Sequence, residues 1–139
     1  MKRTSVWMSA VGIFYILNLV ILWPPIWANL LPQMYPGVDL RQDEAVFRLL
    51  LDAWVIVGLG LASIGVVLVY GARDATQFFP VLFPVVVITE SVFSIWDVYS
   101  AFHFEAITIA IVTLIIHGII IASGFWVYFG LLKSSRKTT

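Results

Sequence analysis

Val87-Ile88-Thr89-Glu90-Ser91-Val92-Phe93-Ser94-Ile95-Trp96-Asp97-Val98-Tyr99 is the stretch that decides how this chain must fold. It lies inside an apolar run long enough to cross a bilayer, yet it carries two acids seven residues apart. In a helix a seven-residue step returns to nearly the same face, and Ser94 sits one turn beyond Glu90 on that face. An acid at the centre of a lone membrane helix costs about 2.5–3.5 kcal/mol on insertion scales. The two carboxyls must therefore face protein or water, and this helix needs partners.

The rest of the chain supplies them. Of 139 residues, 61% are hydrophobic and 12% charged, and the mean hydropathy is +1.00. Eight basic and eight acidic residues cancel, so nothing in the bulk charge points to a nucleic-acid partner or an acidic substrate. The absence of cysteine removes disulfides, thiolate nucleophiles and thiol redox chemistry. Apolar periodicity and length predict four spans, at about 6–27, 45–71, 78–101 and 106–132, within a single transmembrane domain. The first follows Lys2 and Arg3 and is read as a retained span rather than a cleaved leader, because Tyr15 and Asn18 interrupt it and no small-x-small cleavage site follows. Pro24-Pro25 ends or bends it, with Trp23 and Trp27 placed for an interfacial aromatic belt.

Residues 31–43 read as the longest connection, with Asp43 and Glu44 opening the second span. Within that span, Gly58 and Ala62 have the small-xxx-small spacing that lets helix backbones approach. A turn over 71–77 leads to the third span, in which Pro80 is harmless and Pro84 should kink the helix. The segment Phe102-His103-Phe104-Glu105 connects to the fourth span, and a basic tail closes the chain. Four spans place both termini on one side. Lys2, Arg3, Arg73, Lys133, Arg136 and Lys137 then oppose Arg41 and Arg48, which predicts an inner-membrane protein with cytoplasmic termini.

Glu90 and His117 each fall roughly 17–18 Å into their spans from opposite faces, so they should meet near mid-membrane. Asn18, Asp52 and Asp97 fall in the outer half, and with the first two they would form a polar track, Arg48 standing one turn above Asp52 at its mouth. Ala110, Thr113, His117 and Gly124 make a small-and-polar stripe that should turn inward. The plainest reading is structural: a Glu90–His117 bond that ties helices together, worth about 0.6–2 kcal/mol. Five intramembrane polar residues at compatible depths exceed that need. Metal binding by Glu90, Asp97 and His117 lacks a Glu-x-x-His pair, and haem would rest on His117 alone, so no metal or cofactor is expected.

Several short stretches together resemble one family: Gly12-Ile13-Phe14-Tyr15, Leu31-Pro32-Gln33-Met34-Tyr35-Pro36-Gly37, Leu51-Asp52-Ala53-Trp54-Val55-Ile56-Val57-Gly58-Leu59, Gly71-Ala72-Arg73-Asp74, Glu90…Asp97-Val98-Tyr99 and Ile116-His117-Gly118-Ile119-Ile120-Ile121-Ala122-Ser123-Gly124. They resemble the BphX-like family, small four-span bacterial membrane proteins often encoded beside aromatic-degradation enzymes. The resemblance implies an all-α four-helix transmembrane bundle with polar positions at Asp52, Glu90, Asp97 and His117, and it brings no activity. It also leads one to expect paired acids where this chain has Trp96-Asp97, so a role that needs two adjacent carboxylates is not implied.

The leading expectation is a pocket open to the outer side that binds or passes a small hydrophobic or aromatic compound. Asn18, Asp52, Glu90, Asp97 and His117 would orient its polar group, with Trp54, Phe93 and Trp96 facing its apolar body. A rival is an embedded isomerase or hydrolase, with Glu90 or Asp97 as general acid/base and His117 as proton partner. A third is an accessory subunit of a larger membrane complex or a homo-oligomer. A cavity that reaches Glu90 would favour ligand or chemistry; a closed apolar interior would favour the accessory role.

Overall fold

A chain with so few polar side chains has to satisfy its backbone within each segment, and helices do this without help from a neighbour. The computed structural model describes residues 2–103 and 106–135 and is all-α, with no strand among them. Four long helices, α1 (Lys2–Ile21), α3 (Glu44–Gly71), α4 (Ala75–His103) and α5 (Ile107–Ser135), are joined by a shorter α2 (Pro24–Met34) and a 3-10 turn at Ala72–Asp74. Phe104, Glu105, Arg136 and Lys137, used above as connection and tail, lie outside the described residues.

The first span, expected over about 6–27 with the proline pair ending or bending it, is observed at Lys2–Ile21: the helix ends before the prolines, and α2 is a separate helix. Trp23 is extended (φ −64°, ψ 133°) because the ring of Pro24 crowds the helical conformation of the residue before it. Pro24 itself suits the first helical position, where its missing N–H has no partner to lose. Residues 31–34, read as connection, continue α2 through Pro32. A proline there cannot donate to the carbonyl of Ala28, and the Arg41 guanidinium donates to that oxygen instead at 3.0 Å. The connection expected over 71–77 is narrower, since the 3-10 turn hands directly into α4. Asp43 starts α3 as expected, its carboxylate accepting from the backbone of Ala45 (2.9 Å) and Val46 (3.2 Å).

α1 and α3 run antiparallel and cross where two glycines meet. A Cβ built on Gly65 would lie 2.5 Å from the Gly12 carbonyl oxygen, and one on Gly12 would lie 2.7 Å from that of Gly65. No side chain fits between these backbones. α4 lies parallel to α1, with Trp7 edge-on to Phe79 at 5.6 Å, and α5 returns antiparallel to α4, with Tyr128 stacked on Phe83 at 5.5 Å. Two apolar clusters result. One joins Trp7, Met8, Phe79, Phe83 and Val127 near the termini; the other joins Leu22, Trp27, Leu31 and Leu51 under α2.

The two ends of the bundle carry different connections. At one, Ser5 donates to the Ala72 carbonyl (2.8 Å) and Arg3 lies 4.9 Å over the Trp126 ring. At the other, the Ala106 N–H donates to the Met34 carbonyl (2.8 Å). The outward faces carry large apolar side chains: Ile56, Ile88, Ile95 and Ile119 are 62–70% exposed. Lys2–Ile21, Glu44–His103 and Ile107–Ser134 are long and apolar enough to cross a membrane, the 60-residue middle stretch being α3 and α4 folded back at the 3-10 turn.

Candidate functional site

Between the two apolar clusters the interior turns polar. Glu90, on α4, is 1% exposed. One carboxylate oxygen accepts from the Tyr15 hydroxyl of α1, and the other lies 2.5 Å from Nδ1 of His117 on α5. Seven residues on, Asp97 presents Oδ2 at 3.2 Å from Nε2 of the same imidazole. The ring therefore has a carboxylate beside each nitrogen, and Phe93 stacks on it at 6.1 Å and 7°. The two acid contacts are unequal. Oδ2 is close enough for charge attraction, but it sits outside a proper hydrogen-bond direction and has no hydrogen-bond partner among the described residues.

A cavity of about 390 Å³ opens beside this cluster. Phe14, Trp27, Trp54, Phe93 and Trp96 supply much of its wall, and Asn18, Thr113, Glu90, Asp97 and His117 supply polar groups. Trp27 packs against Trp54 with ring centres 5.2 Å apart, is 7% exposed, and its Nε1 has no hydrogen-bond partner among the described residues. The cavity reaches the surface near α2, where the lining residues Ile21, Leu30, Gln33 and Trp96 are exposed.

The BphX-like family model matches residues 1–132, which takes in every element positioning this site. The chain belongs to the BphX-like family. Uncharacterized BphX-like proteins of Burkholderia cepacia and of Paraburkholderia xenovorans (strain LB400) are each 41% identical to it over 139 residues, covering 99% of both chains. No solved structure matches.

In this BphX-like chain the cavity brings together Asn18, Trp54, Glu90, Phe93, Trp96, Asp97 and His117 from the sequence reading. Asp52 is a correction: it is exposed on α3 and lines no part of the cavity. The α3 residues that do line it are Trp54, Val57 and Leu61, one helical stripe, and Asp52 lies two residues, about 200°, from Trp54. Arg48 pairs with Glu44 at 2.6 Å instead of guarding a mouth with Asp52. Trp27, expected at an aromatic belt, is an inner wall of the cavity. The α5 stripe does turn inward, with Ala110 buried and Gly124 packed against Phe83 and Trp7.

Two site residues went unread. Tyr15 counted as an interruption of an apolar run and as the end of a family-like stretch, not as a site residue, although Asn18 three residues on shares its face and marks that face as polar. Trp27 was hidden by its place after two prolines. Chemically, the family member holds a hydrogen-bonded line Tyr15–Glu90–His117 with Asp97 at its far end, able to hold or relay a proton. Among the described residues no group of three or more His, Asp or Glu side chains converges as metal ligands.

Proposed function

We propose that this BphX-like protein is an integral membrane protein whose four long helices hold, or pass, a small hydrophobic or aromatic compound in the cavity beside Glu90. The cavity is the observation that supports this most. Its volume of about 390 Å³ lies within the range of small-molecule sites, roughly 300–1,000 Å³, and it combines aromatic walls with a few convergent polar groups. Apolar side chains over the outer faces support lipid as the surrounding medium. An accessory subunit needs no cavity next to its most costly buried charge.

A second reading, acid/base catalysis on the bound compound, draws support from the hydrogen-bonded line Tyr15–Glu90–His117, whose far nitrogen lies 3.2 Å from an Asp97 carboxyl oxygen. Binding comes first in either case. The test is binding of one- and two-ring compounds to the purified protein in detergent, followed by quenching of the cavity tryptophans. Thr113→Phe, which places a ring inside the cavity, should weaken binding about tenfold or more without lowering the thermal midpoint. Equal binding by wild type and Thr113→Phe would refute the site. Chemical conversion of a bound compound, lost in Glu90→Gln, would favour the catalytic reading.

A further inference from the structure

The contacts within the buried cluster set its charge. His117 Nδ1 lies 2.5 Å from Glu90 Oε2, and Nε2 lies 3.2 Å from Asp97 Oδ2. Two electron-rich atoms that close repel unless a proton lies between them, so each pair holds one. The Tyr15 hydroxyl donates its own proton to the other Glu90 oxygen. Two carboxylates around an imidazolium carry one net negative charge. One carboxylate, one carboxylic acid and a neutral imidazole carry the same. The side chain of Glu90 is 1% exposed, and those of Asp97 and His117 are 12% and 15% exposed, so water screens this charge poorly.

No Lys or Arg among the described lining residues balances it. At the end where the cavity opens, Arg41 is set on the Ala28 carbonyl (3.0 Å) and the Phe47 ring (5.6 Å), and Arg48 pairs with Glu44 at 2.6 Å. The hydroxyl protons of the wall are also committed. Thr113 donates to the backbone carbonyls of Ile109 and Ala110, at 3.1 and 3.0 Å, and Tyr15 donates to Glu90. An anion would meet a like charge with no hydroxyl proton to receive it. A neutral body would fill the apolar space and leave the charge uncompensated in a low dielectric. A monocation fills the same space and closes the balance. The walls suit it, because Phe14, Trp54 and Trp96 line the cavity and aromatic rings attract organic cations, quaternary ammonium groups among them.

Resting on the binding reading above, we propose that the ligand is an apolar organic monocation, its charge held beside the Glu90–His117–Asp97 cluster and its body against the aromatic wall. The cluster acts through its net charge and needs no free hydrogen-bonding atom, so quaternary as well as protonated amines belong to the class. Carboxylates and sulfonates do not.

Three compounds of nearly one shape separate charge from fit: phenyltrimethylammonium, tert-butylbenzene and benzenesulfonate. Each is titrated into the full-length protein in one uncharged detergent, with micelle partitioning subtracted and tryptophan quenching as the readout. Wild type should bind the ammonium at least about tenfold tighter than the sulfonate. Thr113→Phe should weaken the ammonium about tenfold, as it should any occupant of the cavity. Glu90→Gln combined with Asp97→Asn removes both acids at nearly constant shape. It should lower the ratio of ammonium to tert-butylbenzene affinity about tenfold or more, and the wild-type comparison of ammonium with sulfonate decides alone if that double variant fails to fold. Ammonium binding no tighter than that of the sulfonate, unchanged in Thr113→Phe, or unchanged relative to tert-butylbenzene in the folded double variant would overturn the inference. Cavity binding would still stand if tert-butylbenzene binds wild type and is lost in Thr113→Phe. Binding of none of the three would overturn both.

Discussion

A carboxylate as deeply buried as Glu90 persists only because other groups meet it, and the structure names them: the Tyr15 hydroxyl on one oxygen and the His117 imidazole on the other. Interhelical bonds of this kind are worth about 0.6–2 kcal/mol each inside a membrane. Glu90→Gln keeps the shape and one acceptor oxygen, and its amide can donate to the Tyr15 oxygen, so stability in detergent should change by less than about 1 kcal/mol. Glu90→Leu strands both partners and should cost about 1–3 kcal/mol. Denaturant titration in micelles measures both. If Gln binds ligand as wild type does and only Leu is destabilised, Glu90 ties helices and does nothing further. This cluster was half legible in the sequence. Glu90, Asp97 and His117 declare themselves because charge in an apolar run is costly wherever it occurs. Tyr15 does not, since a phenol carries no charge and interrupts an apolar run at little cost. Asp52 misled for the opposite reason: the cost of charge says that a carboxyl avoids lipid and not that it joins this cavity, and Asp52 lies about 200° around α3 from the lining Trp54.

Among the elements, the α1–α3 crossing brings two backbones into close approach, and it rests on Gly12 and Gly65. Gly65→Ala would drive a methyl to 2.5 Å from the Gly12 carbonyl oxygen, and a backbone atom cannot swing aside as a side-chain tip can. The helices would have to part, with an expected cost of about 1–3 kcal/mol. Gly60 lies on the same helix with nothing within 4 Å of its would-be Cβ. Gly60→Ala should therefore be neutral or stabilising by up to about 1 kcal/mol, from helix propensity alone. Thermal unfolding of the two variants side by side separates crossing from propensity; equal midpoints would show that the crossing can relax. The four long helices were legible because each is an apolar run of membrane-crossing length. α2 was not, because Pro24-Pro25 and Pro32 read as breaks. Pro24 opens a helix rather than ending one, and Pro32 is tolerated because Arg41, nine residues on, takes up the carbonyl it leaves unpaired. No local pattern announces that bond.

For the whole molecule, the arrangement of ends matters most. The 3-10 turn with Arg73 packs beside Ser5 and the start of α1, and Lys133 closes α5 at that same end, whereas Arg41 and Arg48 lie with α2 and the start of α3 at the other. Basic residues thus gather where the termini are. The volume between the helices was beyond the reach of sequence, because inward-facing charge says which faces meet and not how much space their side chains leave. That space reaches the surface at the α2 end, at Gln33, so topology also fixes the side from which the cavity is entered. If basic flanks stay in the cytoplasm, Gln33 faces outward and Thr76, beside the 3-10 turn, faces inward. The chain has no cysteine, so single substitutions report cleanly. In intact cells an impermeant maleimide should label Gln33→Cys promptly and Thr76→Cys only after lysis, both positions being exposed. A compound held in the cavity should slow labelling at Gln33→Cys and leave Thr76→Cys in lysed cells unaffected. Labelling of Thr76→Cys first would reverse the topology and move the entrance to the cytoplasmic side; labelling of Gln33→Cys at one rate with and without a compound shown to bind would place that compound elsewhere.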